Sequence, residues 1–232
     1  MFYLLYIIFG LAPSIIWLLF YLRKDVHPEP KRKVLKVFLF GALATFPALF
    51  IERGSQVFFQ SLQIPFANFL YIFIGVALCE ETLKYLVVRQ VILADPEFDE
   101  PVDSMLYMII SALGFAAFEN IFLLSKSSLI FEAFIISVLR FLGATFLHAL
   151  CSGVVGFFLA YSFFKTKNRG ELLIIGLGIS TLLHGFYNFS IIEIGAKEGF
   201  IVPIIILTGL ALLGLALLVS RGFKKLKEIA RE

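Results

Sequence analysis

Long apolar stretches separated by short polar connections dominate the chain. A helix of roughly 20 apolar residues crosses a bilayer core about 30 Å thick, and each stretch is near or above that length. Seven such stretches occur, at 2–22, 34–51, 66–92, 102–125, 131–164, 171–193 and 200–220. The third and fifth are long enough to tilt or to include a turn at the membrane surface. The pattern predicts an all-α fold, a polytopic membrane helix bundle of about seven transmembrane helices forming one domain over 1–232.

Basic residues are distributed unequally between alternate connections. One side holds Arg23, Lys24, Lys31, Arg32, Lys33, Lys36, Arg89, Lys165, Lys167, Arg169, Arg221, Lys224, Lys225, Lys227 and Arg231, and the other holds only Arg53, Lys126 and Lys197. Because cytoplasmic connections carry the excess of Lys and Arg, we expect a multi-pass protein of the cell membrane with its N-terminus outside and its C-terminus in the cytoplasm. The first stretch has no basic residue ahead of it and no small-residue cleavage site, so we expect it to remain as a span.

Composition removes several other classes of protein. The 232 residues are 60% hydrophobic and only 16% charged, with a formal net charge of +3. An ordinary soluble domain has a larger charged fraction, and a nucleic-acid-binding domain has a basic patch that this chain lacks. We therefore expect the lipid bilayer as the main partner and no nucleic acid.

Ionisable and amide side chains occur inside the predicted spans, where an ionised group costs about 3 kcal/mol. They are Glu80, Glu81 and Lys84 in the third stretch, Glu119 and Asn120 in the fourth, Arg140 and His148 in the fifth, and His184 and Asn188 in the sixth. At 1.5 Å per residue, Glu80 and His184 both lie about 20 Å from the start of their spans. The sequence thus predicts a polar active-site layer near mid-membrane.

Helical spacing indicates which of these groups share a face. Glu80 and Lys84 are four residues apart, as are His184 and Asn188. Glu80 and Glu81 point about 100° apart, so we expect one of them to meet a substrate and the other to brace the site. A carboxylate held in such a layer is suited to take a proton from water as a general base.

Three other interpretations remain open. The Glu, Lys, His and Asn side chains could be structural, joining helices through ion pairs and hydrogen bonds. Two His and a Glu could also bind zinc with water as the fourth ligand, although no HExxH string is present and the ligands would come from separate helices. An ion-coupled transporter uses similar buried residues, although no internal repeat is visible in the chain.

Five motifs in chain order resemble the PrsW family of intramembrane proteases, which is related to CAAX prenyl endopeptidases and bacteriocin-processing proteases. The motifs are YLRKDVHPEP (21–30), EETLK (80–84), FAAFEN (115–120), Arg140 followed by His148, and HGFYN (184–188). The resemblance implies a glutamic-type intramembrane endopeptidase that makes the first cut in a single-pass, anti-sigma-factor-like membrane protein. It departs from the CAAX pattern at Glu119, where those enzymes carry a histidine.

The resemblance also implies roles by position. Catalytic roles fall on Glu80, Glu81, Glu119, His148, His184 and Asn188, and supporting roles on Lys84, Asn120 and Arg140. We favour Glu80 as the base, because Lys84 lies four residues away and can hold it ionised. We expect metal-free catalysis without a cofactor in preference to zinc.

Overall fold

The computed structural model describes residues 3–25, 27–96, 98–166, 169–196 and 201–230, and the regular secondary structure of these residues is entirely helical. The helices are α1 (Tyr3–Leu22), α2 (Lys31–Ser61), α3 (Ala67–Leu70), a π-helix (Tyr71–Leu78), α4 (Cys79–Val91), α5 (Pro101–Leu124), α6 (Ile130–Leu142), α7 (Ala144–Phe164), α8 (Arg169–Ala196) and α9 (Ile201–Ile229). This architecture confirms the predicted all-α bundle.

Six helical segments are long and apolar enough to cross a membrane. They are Tyr3–Leu22, Lys31–Ser61, Pro101–Leu124, Ile130–Phe164, Arg169–Ile192 and Val202–Ile229. They match six of the seven predicted stretches, although α2 continues ten residues beyond the predicted boundary at 51. The remaining stretch, 66–92, is helical over 67–91 but is divided among α3, the π-helix and α4.

Contacts between connections indicate that the segment 67–91 also traverses the bundle. His27 Nδ1 lies 2.5 Å from Glu100 Oε1, and Lys33 pairs with Asp95. The connections before α2 and after α4 therefore lie at the same end of the bundle. Since the chain leaves that end along α2, it must return to it along 67–91. Among the described residues, the segment 67–91 thus runs from one end of the bundle to the other, beside the six helices that are long and apolar enough to cross a membrane.

The other basic connections lie at this same end. The ring of Phe98 is 5.5 Å from that of Phe163 at the end of α7, and Tyr21 stacks on Phe223 of α9 with centroids 6.0 Å apart. We call this end, formed by residues 23–25, 27–30, 92–96, 98–100, 165–166 and 221–230, the basic end. The connections that are rich in Lys and Arg in the sequence therefore lie together at one end of the bundle. Lys167, Lys197 and Arg231 lie outside the described residues.

The connection before α2 is also fixed to α5. Tyr107 of α5 is fully buried and donates a hydrogen bond to Glu29 Oε2 at 2.5 Å. Burial raises the pKa of Glu29 above its ordinary value, and the hydrogen bond from Tyr107 opposes that shift. The first basic connection is thus attached to the central helix.

Helix α5 forms the centre of the bundle. Its residues from Pro101 to Ala117 are all buried, and it packs against α1, α2 and α7. Glycines allow the close contact with α2, because a Cβ atom at Gly41 or Gly114 would collide with a backbone carbonyl oxygen of the facing helix. Small residues permit this backbone approach between membrane helices.

Changing Gly114 to Ala is expected to lower the free energy of unfolding by about 1–3 kcal/mol, because the new methyl group forces α2 and α5 apart. Thermal unfolding in detergent measures the effect. Gly54→Ala is the matched control, since Gly54 lies in α2 with open space around it. Equal stability of the two variants would contradict the proposed close packing.

Two irregularities occur beside the predicted polar layer. The π-helix ends at Leu78, two residues before Glu80, and such wide turns are frequent at functional sites. Gly143, with φ −107° and ψ −98°, separates α6 from α7 between Arg140 and His148. The fifth predicted stretch is therefore two helices joined inside the bundle.

Candidate active site

Lys84 lies at the centre of a buried polar cluster. Its side chain has no exposed surface, and its Nζ atom donates hydrogen bonds to Glu80 Oε2 at 3.1 Å and Glu81 Oε1 at 2.8 Å. Its third contact is with His148 Nδ1 at 2.7 Å. The three ammonium protons thus meet three acceptors from two helices. The predicted sharing of a face by Glu80 and Lys84 is confirmed.

Two histidines approach each other across this cluster. The rings of His148 in α7 and His184 in α8 have centroids 4.9 Å apart. His148 Nε2 lies 3.0 Å from Glu119 Oε2, and His184 Nδ1 lies 3.0 Å from Glu81 Oε1. The remaining ring nitrogens, His148 Nδ1 and His184 Nε2, lie 3.7 Å and 3.9 Å from Glu80 Oε2. Each imidazole is therefore held by one carboxylate and turns its other nitrogen towards Glu80.

A second group of polar residues supports Glu119. Arg140 Nη2 lies 2.7 Å from Glu119 Oε2, and Arg140 Nε donates to the Asn120 side-chain oxygen. The Asn120 amide in turn donates to Thr145 Oγ1 at 3.0 Å and to the Gly10 carbonyl at 3.3 Å. Asn120 and Arg140 thus join α1, α5, α6 and α7 around the carboxylate.

Two hydroxyl groups complete the cluster. Ser152 Oγ donates to Glu81 Oε2 at 3.0 Å, and Ser111 Oγ donates to the Lys84 carbonyl at 3.0 Å. Neither serine was predicted, because a hydroxyl in an apolar span is common and carries no signal of its own.

A cavity of about 670 Å³ lies beside the cluster. Its polar lining consists of Glu52, Tyr71, Glu80, Glu119, Arg140, His148, His184, Tyr187 and Asn188. Glu81 does not line it and instead contacts His184 and Ser152 from behind. The structure therefore brings all nine predicted residues into one site and separates the two adjacent glutamates, with Glu80 facing the cavity.

Glu52, Tyr71 and Tyr187 are the polar residues of the cavity lining that the sequence interpretation missed. The predicted second span ended at residue 51, which made Glu52 look like part of a surface connection, whereas α2 continues to Ser61. Tyr187 was treated as one of many aromatic residues in the chain. A helix length estimated from the whole run 31–61 would have placed Glu52 inside the membrane.

Glu80, His148 and His184 can also be tested as metal ligands. One donor atom from each lies within 4.8 Å of the others, and all three residues are buried. Zinc bonds of about 2.0–2.2 Å place the ligand atoms of a tetrahedral ion roughly 3.3–3.6 Å apart, close to the 3.7 Å and 3.9 Å separations from Glu80 Oε2. A histidine that binds a metal through one ring nitrogen commonly donates a hydrogen bond from the other to a carboxylate. The spacing of the donor atoms fits a divalent metal, on the condition that Lys84 gives up its hydrogen bond to His148 Nδ1, because an imidazole nitrogen has a single lone pair.

The charges of the site agree with this fit. Glu52, Glu80, Glu81 and Glu119 supply carboxylates, whereas the cations are Lys84 and Arg140. The carboxyl groups outnumber the cations, and uncompensated charge is costly in surroundings of low dielectric. Either a bound cation or a proton on one of the carboxyl groups can balance this excess.

Comparison with known proteins gives a consistent assignment. The family model described as "PrsW family intramembrane metalloprotease" matches residues 29–218. The Protease PrsW of Geobacillus kaustophilus (strain HTA426) is 34% identical over 190 residues, which is 82% of this chain and 79% of that protein. The Protease PrsW of Bacillus subtilis (strain 168) is 30% identical over 199 residues, covering 85% of this chain and 87% of that protein.

A more distant relative extends the same result. The Protease PrsW of Clostridioides difficile (strain 630) is 27% identical over 185 residues, or 78% of this chain and 76% of that protein. No solved structure matches the chain. Because the family match covers most of the chain and the relatives are aligned over most of their own length, the chain belongs to the PrsW family and is an intramembrane endopeptidase.

Proposed function

We propose that Glu80, His148 and His184 bind a divalent metal, zinc by ligand type, and that the protein hydrolyses a peptide bond at this centre. The proposal depends on one observation: buried donor atoms of Glu80, His148 and His184 lie close together. Each of the two imidazoles is also hydrogen-bonded to a further carboxylate, Glu119 or Glu81. Two His and one Glu form the ligand set of several zinc peptidases. This proposal gives the metal preference over the metal-free catalysis expected from the sequence.

Each neighbouring residue then has a definite task. A bound divalent ion would polarise the scissile carbonyl group and lower the pKa of water. Glu119 and Glu81 accept hydrogen bonds from the imidazoles and fix their orientation. Asn188, which lines the cavity, can donate from its amide to the developing oxyanion.

Metal-free hydrolysis is the second candidate, and the position of Lys84 favours it. Its ammonium group lies 2.7 Å from His148 Nδ1, one of the three donor atoms that a metal would need. Lys84 therefore already supplies a positive charge beside Glu80. In this mechanism Glu80 takes a proton from water, while His184 and Asn188 bind the oxyanion.

Elemental analysis separates the two candidates. We expect about one zinc per purified chain, with cleavage lowered at least about 100-fold by a strong chelator and restored by added zinc. His148→Ala and His184→Ala should lose the metal, whereas His27→Ala, at the basic end, should keep both metal and activity.

Full activity in protein that contains almost no metal, unchanged by the chelator, would establish the metal-free mechanism instead. Wild-type cleavage by both active-site histidine variants would remove both candidates and leave the cluster a structural role.

The substrate that we propose is a single-pass membrane protein of the anti-sigma-factor type, cut first by this enzyme. The cavity is lined by α2, α5, α6, α7, α8 and α9 and by the segment 67–91, so the bond to be cut must come within the bundle. The proposed orientation has the basic end in the cytoplasm and the N-terminus outside, because cytoplasmic connections carry the excess of basic residues.

Cysteine labelling tests this orientation. In a chain with Cys79→Ala and Cys151→Ala, a membrane-impermeant maleimide should label Ser128→Cys in intact cells. Lys165→Cys, at the basic end, should react only after permeabilisation. Both positions are exposed in the structure, so the opposite order of labelling would mean that the orientation is reversed.

A further inference from the structure

A crevice at the surface of the bundle lies next to the catalytic cavity. Leu139, Tyr187, Ile191 and Ile205 line both the cavity and a neighbouring space of about 170 Å³. This space, which we call the lateral crevice, is otherwise lined by Leu142, Gly143, Thr208, Gly209 and Leu212. The shared residues place the two spaces side by side.

The crevice exists because α6 is not packed against the helices opposite it. Among the described residues, α6 packs on α1, α5 and α7, with no close packing on α8 or α9. Leu139 is 65% exposed, Ile191 47% and Ile205 55%, so the apolar edges of the gap face outward. In a membrane these edges contact lipid, and the gap opens sideways into the bilayer.

Chain direction determines which half of the membrane the crevice meets. Helix α8 starts at the basic end, so Ile191 lies near its far end. Helix α9 finishes at the basic end, so Ile205 lies in its first turns, again far from that end. The crevice therefore opens in the half of the bundle opposite the basic end.

We propose that the lateral crevice is the route by which an apolar transmembrane segment of the substrate reaches the catalytic cavity. This inference rests on the proposed function. It adds the path that the substrate takes and identifies α6, α8 and α9 as the helices on either side of that path. The shared lining indicates the occupant, because a segment in the crevice lies next to the cavity that contains Glu80 and His184. The walls are mainly aliphatic, which suits an apolar segment.

The contact between Tyr187 and Gly143 makes this path narrow. The Tyr187 hydroxyl lies so close to Gly143 that a Cβ atom there would collide with it. Gly143 also has the backbone break between α6 and α7. The Tyr187 hydroxyl group of α8 therefore lies inside the crevice, at the point where α6 meets α7.

Photo-cross-linking tests the route without requiring catalysis. A benzophenone amino acid in place of Ile205 in the Glu80→Gln chain should capture a single-span substrate in membranes. The same group in place of Leu218 is the control, since Leu218 is 59% exposed on α9 but lies towards the basic end. Equal capture at both positions, or adducts at Ile205 with phospholipid alone, would overturn the proposal.

A reversible closure of the gap provides the second measurement. In the cysteine-free chain, a cleavable thiol cross-linker joining Leu139→Cys to Ile205→Cys should lower cleavage at least about tenfold, with recovery after the linker is cut. Val154→Cys with Leu218→Cys, which line a separate apolar groove, should tolerate the same linker. Undiminished cleavage with α6 joined to α9 would overturn lateral access while leaving the Glu80 centre unaffected. Failure of the proposed function would be detected separately, because Glu80→Gln would then cleave the substrate at the normal rate.

Discussion

Glu80→Gln is expected to lower the rate of substrate cleavage by about 10³-fold while leaving the protein folded. Glutamine keeps the size of the side chain but removes the negative charge that either holds a metal or takes a proton from water. Lys84 retains its contacts with Glu81 and His148, so the helices stay joined. Cleavage of a reconstituted single-span substrate, together with thermal unfolding, measures the two effects separately.

Glu81→Gln is the matched comparison, since it removes the same charge one residue away. Glu81 does not line the cavity but orients His184 from behind, so a loss of only about 10–100-fold is expected. A larger loss in Glu81→Gln than in Glu80→Gln would reverse the assignment of the two carboxylates.

Lys84→Met is expected to be strongly destabilising, by about 3–5 kcal/mol, because it leaves Glu80 and Glu81 buried without the cation that pairs with both. The double change Lys84→Met with Glu81→Gln should recover part of this loss, since one of the two carboxylates is then neutral. The fraction of folded protein after extraction in detergent, and its unfolding temperature, give the measurement.

A partly exposed pair provides the control for Lys84. Lys33 pairs with Asp95 at the basic end, where the two side chains are 28% and 18% exposed. Because water screens such a pair, Lys33→Met should cost no more than about 1 kcal/mol. Similar losses for both lysine variants would mean that the buried network contributes little to stability.

Part of the site follows from local geometry, and that part could be predicted. The period of a helix fixes the sharing of a face by Glu80 and Lys84, which the structure confirms. Apolar length predicts about seven crossings, and six helices of the described residues meet that criterion. The mid-span position of an ionisable group such as His184 is visible in the sequence for the same reason.

The partners across helices could not be predicted in this way. Nothing in the spacing says that His184 contacts Glu81 or that His148 contacts Glu119, because these pairs depend on how α4, α5, α7 and α8 pack. The direction of each ring nitrogen depends on the same packing. A search for a zinc-binding string also fails, since the three donors come from three helices.

Backbone irregularities were a further obstacle. The π-helix before Cys79 and the break at Gly143 interrupt segments whose hydropathy is continuous, so composition does not mark them. At Gly143 the break is in contact with the Tyr187 side chain of α8, a contact that local sequence does not reveal.

The concentration of charge in the segment 67–91 has a consequence for biogenesis. Charged residues near a helix centre oppose transfer from the translocon into lipid by about 2.5–3.5 kcal/mol each. With Glu80, Glu81 and Lys84 together, this segment is poorly retained in the bilayer until α7 and α8, which carry His148 and His184, have been synthesised. We therefore expect a nascent chain that stops before α7 to leave 67–91 outside the membrane, so that the protease acquires its carboxylates only when translation is nearly complete.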